Sequence, residues 1–442
     1  MSAPRLLTIM GSGETAPTMV KLHRQVLERL GAGDHRAVFL DTPFGFQENA
    51  SELCQRTAEY FRQSVGHPIE IAGLTRPRDL ETVQLESALA ELRQADLLFA
   101  GPGSPTYALR QWSGTPVPSI LRDRLAEGGA VTFASAAALT LGLKTVPVYE
   151  IYKSGQDPFW LEGLDVLSAI GLPVAVIPHY DNTEGGHHDT RFCYLGERRL
   201  VQLEAELPEG SFVLGVDEHT GVFMDLGAET VTVFGRGVMT LRRDGQSTVV
   251  ANGETVSLDF VRRGGRGASV IAPAGAGAGV GDTAPTSMPT SPGQGSAGTS
   301  TSANTAPGQP EEPASLRECT IRYEAEFDTA LSAGDAHGAV TATLALQQAI
   351  VSWSHDMLQS DDAERADAAL RAMIVRLGNA ALGGLQDPRE LLAPVVNAAL
   401  ALRKVVRAEK RYDLSDLLRD GLAEAGIEVR DTADGVVWER TG

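Results

Sequence analysis

The sequence is poor in cysteine and lacks a long apolar run. Its three cysteines are Cys54, Cys193 and Cys319. Their wide spacing forms neither a disulfide framework nor a CxxC metal site, so we expect buried free thiols. No run of about 18 apolar residues occurs, and this excludes a membrane-spanning helix. Residues 1–5 precede a predicted strand without the apolar core of a signal peptide. These absences predict a cytoplasmic protein.

Basic residues are scarce relative to acidic ones. Lysine and arginine number 38 against 57 aspartates and glutamates, which gives a net charge of −19. Broad, non-specific binding to nucleic acid needs clustered cations facing phosphates, and this charge balance argues against it. A chain of 442 residues is long enough for two domains and a connector.

A segment poor in core-forming residues divides the chain. Residues 264–314 consist mainly of glycine, alanine, serine, threonine and proline. Burial in such a segment cannot offset the entropy lost on ordering, so the composition predicts a disordered linker. We therefore expect one domain over residues 1–263 and a second over residues 315–442.

The first domain alternates short apolar runs with amphipathic segments. The predicted strands are Leu6–Met10, Ala37–Leu40, Ile69–Ala72, Leu97–Ala100, Ala130–Ala134 and Val174–Pro178. The predicted helices include Val20–Leu30, Ala50–Ser64 and Leu85–Gln94. This rhythm predicts an α/β fold in which helices cover both faces of a parallel sheet, giving three layers. The segment Phe212–Asp259 contains short apolar runs separated by glycine turns, which predict antiparallel hairpins.

The second domain shows helical periodicity. Apolar residues recur at helical spacing over Leu344–Met357, Ala369–Leu377 and Leu391–Val405. A further helix is predicted over Asp416–Ala425, with Gly426 at its C-terminal end and a short strand and turn after it. The pattern predicts a small all-α bundle that ends in a short hairpin.

Loops after the predicted strands carry residues suited to catalysis. Ser135 lies at a strand-to-helix junction, where α/β enzymes expose a nucleophile. His179 follows a later strand and has the side chain best suited to proton transfer near neutral pH. Glu150 is a candidate for orienting His179. The turn Gly101–Pro105 could direct backbone N–H groups at an oxyanion. Taken singly, each feature also fits an ordinary turn, helix start or structural histidine.

The order of these motifs resembles that of the peptidase S51 family, which includes dipeptidase E and cyanophycinase. The motifs are Met10–Glu14, Gly101–Pro105, Ser135, His179 and Val216–Thr220, and the resemblance covers roughly residues 5–250. It implies the class I glutamine amidotransferase-like fold.

The resemblance also implies roles for individual residues. Ser135 corresponds to the nucleophile, His179 to the general base and Glu150 to the third triad member. Oxyanion N–H groups would come from Gly103 and Ala136, and the acidic pair beside the substrate would be Asp217 and Glu218.

The serine motif departs from the family pattern, Gly-x-Ser-Ala-Gly-Ala. Phe133 and Ala137 stand where the family has glycines. We expect the added Cβ atoms to relax the turn or narrow the substrate pocket, because glycine relieves crowding at a strained turn.

The segment Glu184–Asp189 contains adjacent histidines that could bind a metal. Neighbours in sequence seldom face one ion, so we expect a solvated loop without metal. Beside this loop, Arg191 could bind a substrate carboxylate through bidentate hydrogen bonds from its guanidinium group.

The end of the second domain resembles the C-terminal domain of cysteinyl-tRNA synthetases. The resemblance covers about residues 320–440, and its most specific part lies in Ser415–Leu422, Asp431–Gly435 and Trp438. In the synthetase this domain contacts the anticodon region of tRNA. The catalytic HIGH-type and KMSKS-type motifs are absent, so aminoacylation is not expected. A basic ridge is the candidate RNA contact, with a solvated helix face as the alternative; it comprises Arg403, Lys404, Arg407, Lys410 and Arg411.

Together these features predict a serine-type hydrolase. Its substrate would be an amide bond in a small peptide or amino-acid conjugate, with a tRNA-linked substrate included. The alternative is a catalytically degenerate protein that binds tRNA or a small ligand through the synthetase-like domain. No cofactor, metal or membrane is implied, and homodimer formation stays open.

Overall fold

A computed structural model describes most of the chain. The described residues are 3–185, 187–267, 315–354, 362–383, 388–432 and 435–440. They divide into two compact units, residues 3–267 and residues 315–440. Most of the predicted linker, residues 268–314, lies outside the described residues, so the linker stays a prediction.

Strands in the first unit form two mixed sheets. Their bounds are β1 Arg5–Met10, β2 Ala37–Leu40, β3 Glu70–Ile71, β4 Leu97–Ala100, β5 Gly129–Ala134, β6 Lys144–Thr145, β7 Leu161–Glu162, β8 Val174–Ile177, β9 Phe212–Val216, β10 Thr220–Asp225, β11 Thr230–Gly235, β12 Met239–Arg243, β13 Gln246–Val250 and β14 Thr255–Ser257. The larger sheet has the order β14-β11-β10-β1-β5-β4-β2-β3, and the smaller has the order β13-β12-β9-β8-β6-β7.

Helices fill the connections between these strands. Their bounds are α1 Val20–Leu30, α2 Ala50–Tyr60, α3 Thr82–Gln94, α4 Pro105–Trp112, α5 Val117–Glu127, α6 Ser135–Thr140, α7 Val148–Tyr152, α8 Gly196–Ala205 and α9 Leu258–Arg262. A short π-helical stretch, Phe61–Val65, continues α2. The structure therefore confirms the predicted α/β class.

The central strands of the larger sheet run parallel to one another and are buried. β1 runs parallel to β5, and β5 runs parallel to β4. Every residue of β4 and β5 is buried. Strands covered on both faces read as continuous apolar runs, which is why the sequence pattern located them within a residue or two. The predicted hairpins are also confirmed, since β10 pairs with β11 and β12 with β13 in antiparallel fashion.

The candidate site lies where the strands β5 and β8 end. β5 ends directly before Ser135, and α6, which begins there, packs against both β5 and β8. β8 ends two residues before His179 and runs parallel to β9, with Ile177 opposite Gly215. Loops after parallel strands therefore meet at one end of the fold, the usual location of ligand sites in such sheets.

The second unit is a helical bundle that ends in a hairpin, as predicted. Its elements are α10 Leu316–Ser332, α11 Ala336–Trp353, α12 Asp362–Gly383, α13 Pro388–Ala408, α14 Tyr412–Glu424, β15 Ile427–Thr432 and β16 Gly435–Arg440. The hairpin is tied to the bundle by Trp438, which packs with Ile427 and Val396 in a small core. Gly426 ends α14 with a φ of 76°, a conformation that glycine adopts cheaply.

All three cysteines are free and buried, as expected. Among the described residues, no helix combines the length and apolarity needed to cross a membrane.

Candidate active site

Ser135 lies on a strained corner between β5 and α6. Its φ is 48°, in the left-handed region that non-glycine residues rarely occupy. Such a backbone costs on the order of 1–3 kcal/mol and persists only where the surrounding packing enforces it. The preceding strand is wholly buried, and Ala137 N–H donates to the carbonyl of Gly101 at 3.1 Å. The corner is therefore fixed from both sides.

A chain of hydrogen bonds runs from Ser135 through His179 to Glu218. Ser135 Oγ lies 2.9 Å from Nε2 of His179. The other ring nitrogen, Nδ1, lies 2.8 Å from Oε1 of Glu218. With Nδ1–H donating to the carboxylate, Nε2 is left as the acceptor for the serine hydroxyl. Hydroxyl, imidazole and carboxylate thus stand in the order that activates a serine nucleophile.

The carboxylate that contacts His179 is Glu218, whereas the sequence analysis gave Glu150 as the candidate. Glu150 lies on α7, and its Oε2 accepts a hydrogen bond from Thr106 Oγ1 at 3.0 Å. Glu218 holds the place beside His179 because it follows β9, the strand that runs parallel to β8. Adjacency in the sheet, which the sequence does not display, decides between the two carboxylates.

The electrostatic surroundings of His179 make its imidazole a stronger base. Burial opposes protonation of His179, but the hydrogen bond and negative charge of Glu218 outweigh it and raise the pKa of the imidazole. Burial likewise acts to raise the pKa of Glu218, while the hydrogen bonds from His179 and Asn182 hold that pKa below its usual range. The pair therefore stabilises the imidazolium that forms when a serine proton is taken up.

Phe133 and Ala137, which stand where the S51 motif has glycines, do not line the cavity beside Ser135. Phe133 is fully buried in β5, with its ring 5.8 Å from that of Trp112. Ala137 is also fully buried, in the same core cluster. The expected relaxation of the corner is not seen, because Ser135 keeps its left-handed backbone while both Cβ atoms pack into the interior.

The turn after β4 lies against the serine corner. Gly103 has a φ of 137°, and a Cβ at this position would lie 2.1 Å from the carbonyl oxygen of Pro43. Only glycine fits such a close approach without displacing the neighbouring backbone. Gly103 and Ala136 both line the cavity beside Ser135. Ala136 lies in the first turn of α6, where backbone N–H groups have no partner within the helix.

The cavity beside Ser135 has a volume of about 470 Å³. One wall is aromatic, and the rings of Tyr152 and Tyr194 lie 4.7 Å apart. The ammonium of Lys153 lies 5.3 Å from the centre of the Tyr152 ring. Glu184 also lines the cavity and accepts a hydrogen bond from the Tyr194 hydroxyl at 2.6 Å. A cation, a carboxylate and aromatic faces therefore surround a space suited to a small polar molecule.

The remaining predicted substrate contacts point elsewhere. Asp217 turns its carboxylate toward the N–H of Val238, at 2.8 Å. Arg191 forms a two-pronged pair with Asp189, with both nitrogen–oxygen distances at 2.9 Å. Neither Asp217, Glu218 nor Arg191 lines the cavity. Local hydrogen bonds direct these three side chains away from the cavity, and their contact with a substrate stays a prediction.

Sequence reasoning missed the aromatic wall. Tyr149 and Tyr152 flank Glu150 on the short helix α7, and Tyr194 belongs to a three-residue run with positive φ, Phe192–Tyr194. A run of left-handed residues has no sequence signature when none of them is glycine. In the predicted loop Glu184–Asp189, Gly186 lies outside the described residues. Among the described residues, no group of histidine, cysteine and acidic side chains is arranged to hold a metal.

The basic ridge of the second unit is interrupted. Arg403, predicted as part of it, is only 5% exposed, because it lies on a side of α13 that packs inward. Lys404, Arg407 and Lys410 are exposed. Arg411 is exposed but pairs with Asp413 at 3.3 Å. Burial of Arg403 thus leaves four exposed cations of the predicted five, and RNA contact by this ridge stays a prediction.

Comparison with known proteins gives matches to curated sequences and to solved structures. No family model matches the chain. The chain is 41% identical over 83 residues to cysteine–tRNA ligase of Thermotoga maritima, covering 18% of each chain. It is 37% identical over 104 residues to the same enzyme of Pseudarthrobacter chlorophenolicus, covering 22% of this chain and 21% of the ligase. The chain thus spans about a fifth of the length of the curated relatives it matches.

Two solved structures are similar to more than half of the chain. One is a peptidase from an acI-B1 Actinobacterium, with 19% identity and a TM-score of 0.47, covering 58% of this chain and 97% of that one. The other is a putative peptidase E protein from Listeria monocytogenes EGD-e, with 15% identity and a TM-score of 0.36, covering 53% of this chain and 99% of that one.

Proposed function

We propose that this protein is a serine-dependent hydrolase that cleaves an amide bond in a small peptide or amino-acid conjugate. The observation that carries the proposal is the hydrogen-bonded chain from Ser135 Oγ through His179 to Glu218. The cavity volume of about 470 Å³ favours a small substrate over a folded protein.

The chemistry follows from the donors and acceptors at the site. His179 Nε2 takes the proton of Ser135 while Oγ attacks the carbonyl carbon, forming the new C–O bond. The carbonyl oxygen becomes an oxyanion, and the N–H groups of Gly103 and Ala136 are the proposed donors to it. His179 then returns the proton to the leaving amine as the C–N bond breaks. In the second half, His179 takes a proton from water, which attacks the ester carbonyl. His179 then returns the proton to Ser135 Oγ as the ester C–O bond breaks.

A turnover assay with the full chain tests this proposal. A panel of dipeptides and aminoacyl anilides is screened for amine release by wild type and by Ser135→Ala. We expect at least a 1,000-fold loss of kcat in the variant, because a general base without its nucleophile retains little catalysis. Cys193→Ala is the matched control, since Cys193 lines the same cavity and is a second nucleophilic side chain. Turnover that survives in Ser135→Ala, or is lost in Cys193→Ala alone, would exclude the mechanism.

We further propose that the second unit contacts tRNA, so that the hydrolase acts on a tRNA-linked or tRNA-associated substrate. The proposal is supported by the partial similarity of the chain to cysteine–tRNA ligases and by the exposed Lys404, Arg407 and Lys410. Contacts of three cations with phosphates predict an affinity that falls as salt rises.

Filter binding of the full chain to tRNA tests this second proposal. Replacing Lys404, Arg407 and Lys410 together with alanine is expected to weaken binding and flatten its salt dependence. Arg322→Ala is the control, because Arg322 is a partly exposed cation on α10, outside the predicted ridge. Equal binding by the triple variant and wild type would leave the hydrolase proposal without a tRNA connection.

A further inference from the structure

The loop after His179 holds Glu218 at two separate points. Asp181 Oδ1 accepts the backbone N–H of Glu218 at 2.7 Å. The next residue, Asn182, donates its side-chain amide to Glu218 Oε1 at 3.1 Å. Oε1 is the same oxygen that faces Nδ1 of His179. Two consecutive residues thus fix both the main chain and the carboxylate of Glu218.

Asn182 is itself rigidly placed. Its side chain is buried with the residue only 1% exposed. Its Oδ1 accepts the N–H of Glu184 at 3.3 Å, and its backbone N–H donates to the carbonyl of His179 at 3.2 Å. A buried amide that is bonded at both ends cannot turn without leaving a polar group unsatisfied. The direction of its N–H toward Glu218 is therefore set by the fold.

We propose that Asp181 and Asn182 are positioning residues of the hydrolase, which hold the Glu218 carboxylate in line with the His179 imidazole. Neither residue touches the cavity, so they act through Glu218 and not on substrate. The carboxylate of Asp217 turns away from this contact, toward the N–H of Val238. The role of Asp181 and Asn182 in catalysis rests on the proposed hydrolase function. Their hydrogen bonds to Glu218 do not depend on that function.

The hydrogen bonds that Asp181 and Asn182 form with Glu218, here called the clamp, affect the stability of the His179 imidazolium. A carboxylate held at hydrogen-bond distance favours the charged ring, and a carboxylate that samples longer distances favours it less. Loosening Glu218 therefore lowers the affinity of His179 for its proton. A residue that only supported the local fold would leave that affinity unchanged while lowering the melting temperature.

Titration of the His179 ring by NMR tests the proposal without requiring a substrate. The full chain is prepared with ring-labelled histidine, and the His179 signal is assigned by its absence in His179→Gln. Asp181→Ala removes the acceptor for the Glu218 N–H, and Asp181→Asn keeps an oxygen acceptor while removing the charge. We expect a fall of about 0.5–1 in the pKa of His179 for Asp181→Ala, a smaller fall for Asp181→Asn, and a fall for Asn182→Ala.

The outcomes separate positioning from other roles. Equal falls in Asp181→Ala and Asp181→Asn would assign the effect to charge alone and overturn the proposal. Unchanged titration in both Asp181→Ala and Asn182→Ala, with folding confirmed by melting temperature, would overturn it as well. If wild type hydrolyses no test substrate but the titration shifts as expected, the hydrolase proposal fails while the clamp on Glu218 stands.

Discussion

Replacing Glu218 with glutamine removes the charge that faces His179 and keeps the side-chain shape. The two groups lie 2.8 Å apart, and the carboxylate side chain is about one quarter exposed, at 26%. An opposite charge at such a distance changes a pKa by about 1 to 3. Each step of 1 corresponds to about 1.4 kcal/mol of preference for the charged imidazole. The variant should therefore lose about 1.4–4 kcal/mol of transition-state stabilisation, or about 10- to 1,000-fold in kcat/KM.

The pH profile of kcat/KM gives the sign of this effect. His179 acts as a base only when neutral, so kcat/KM rises with pH through the pKa of His179 in the free enzyme. Glu218 raises that pKa, and Glu218→Gln should move the acid limb to lower pH while lowering the plateau. Glu150→Gln is the matched control, because Glu150 bonds to Thr106 instead. A loss in Glu150→Gln as large as that in Glu218→Gln would refute the reasoning.

Three further predictions concern the cavity, the backbone and stability. Lys153→Met should raise KM about 10-fold for substrates that carry a free carboxylate, because the Lys153 ammonium lies at the cavity wall beside Tyr152. Gly11→Ala should lower the free energy of unfolding by about 1–3 kcal/mol and reduce kcat/KM, because its Cβ would lie 2.0 Å from the carbonyl oxygen of Asp217. Burial and the negative charge of Asp181 raise the pKa of Asp217 to about 7. Because the folded state then holds a proton that the unfolded state releases, stability contributed by Asp217 is present at low pH and lost as pH rises through about 7. Asp217→Asn should flatten the fall in unfolding free energy between about pH 4 and 7.

Each of these predictions has a control. Amidated forms of the same substrates should show no change in KM with Lys153→Met, and an equal rise would contradict a charge contact. Gly227→Ala, whose Cβ would meet Asp225 at an ordinary 3.4 Å, should melt close to wild type. Denaturant unfolding at several pH values measures the Asp217 effect, and parallel curves for wild type and Asp217→Asn would contradict it.

Burial explains which parts of the fold could be predicted. The strands β4 and β5 are covered on both faces, so their apolar runs mark their positions directly. The helix α10 was not predicted, because most of its residues are exposed or half-buried. Its few buried residues include Leu316, Cys319 and Phe327. A helix is recognised from the regular spacing of the apolar residues that face the core, and α10 has few such residues.

The candidate site divides in the same way. Ser135 and His179 follow strands that the sequence reveals, and the structure brings them to 2.9 Å. The choice of Glu218 over Glu150 depends on β9 running beside β8, which is a long-range pairing. Burial of Arg403 depends equally on the packing of α13. Contacts between distant segments decide both cases, and periodicity along a single segment carries no information about them.

The most direct test of the account is covalent trapping of Ser135. The full chain is treated with a fluorophosphonate, and the modified peptide is located by mass spectrometry. We expect one adduct on Ser135 in wild type, slower labelling in Glu218→Gln and none in Ser135→Ala, because the proposed base, His179, lies 2.9 Å from this hydroxyl. A wild-type protein that is folded but unlabelled at Ser135, or labelled equally fast after His179→Gln, would contradict it.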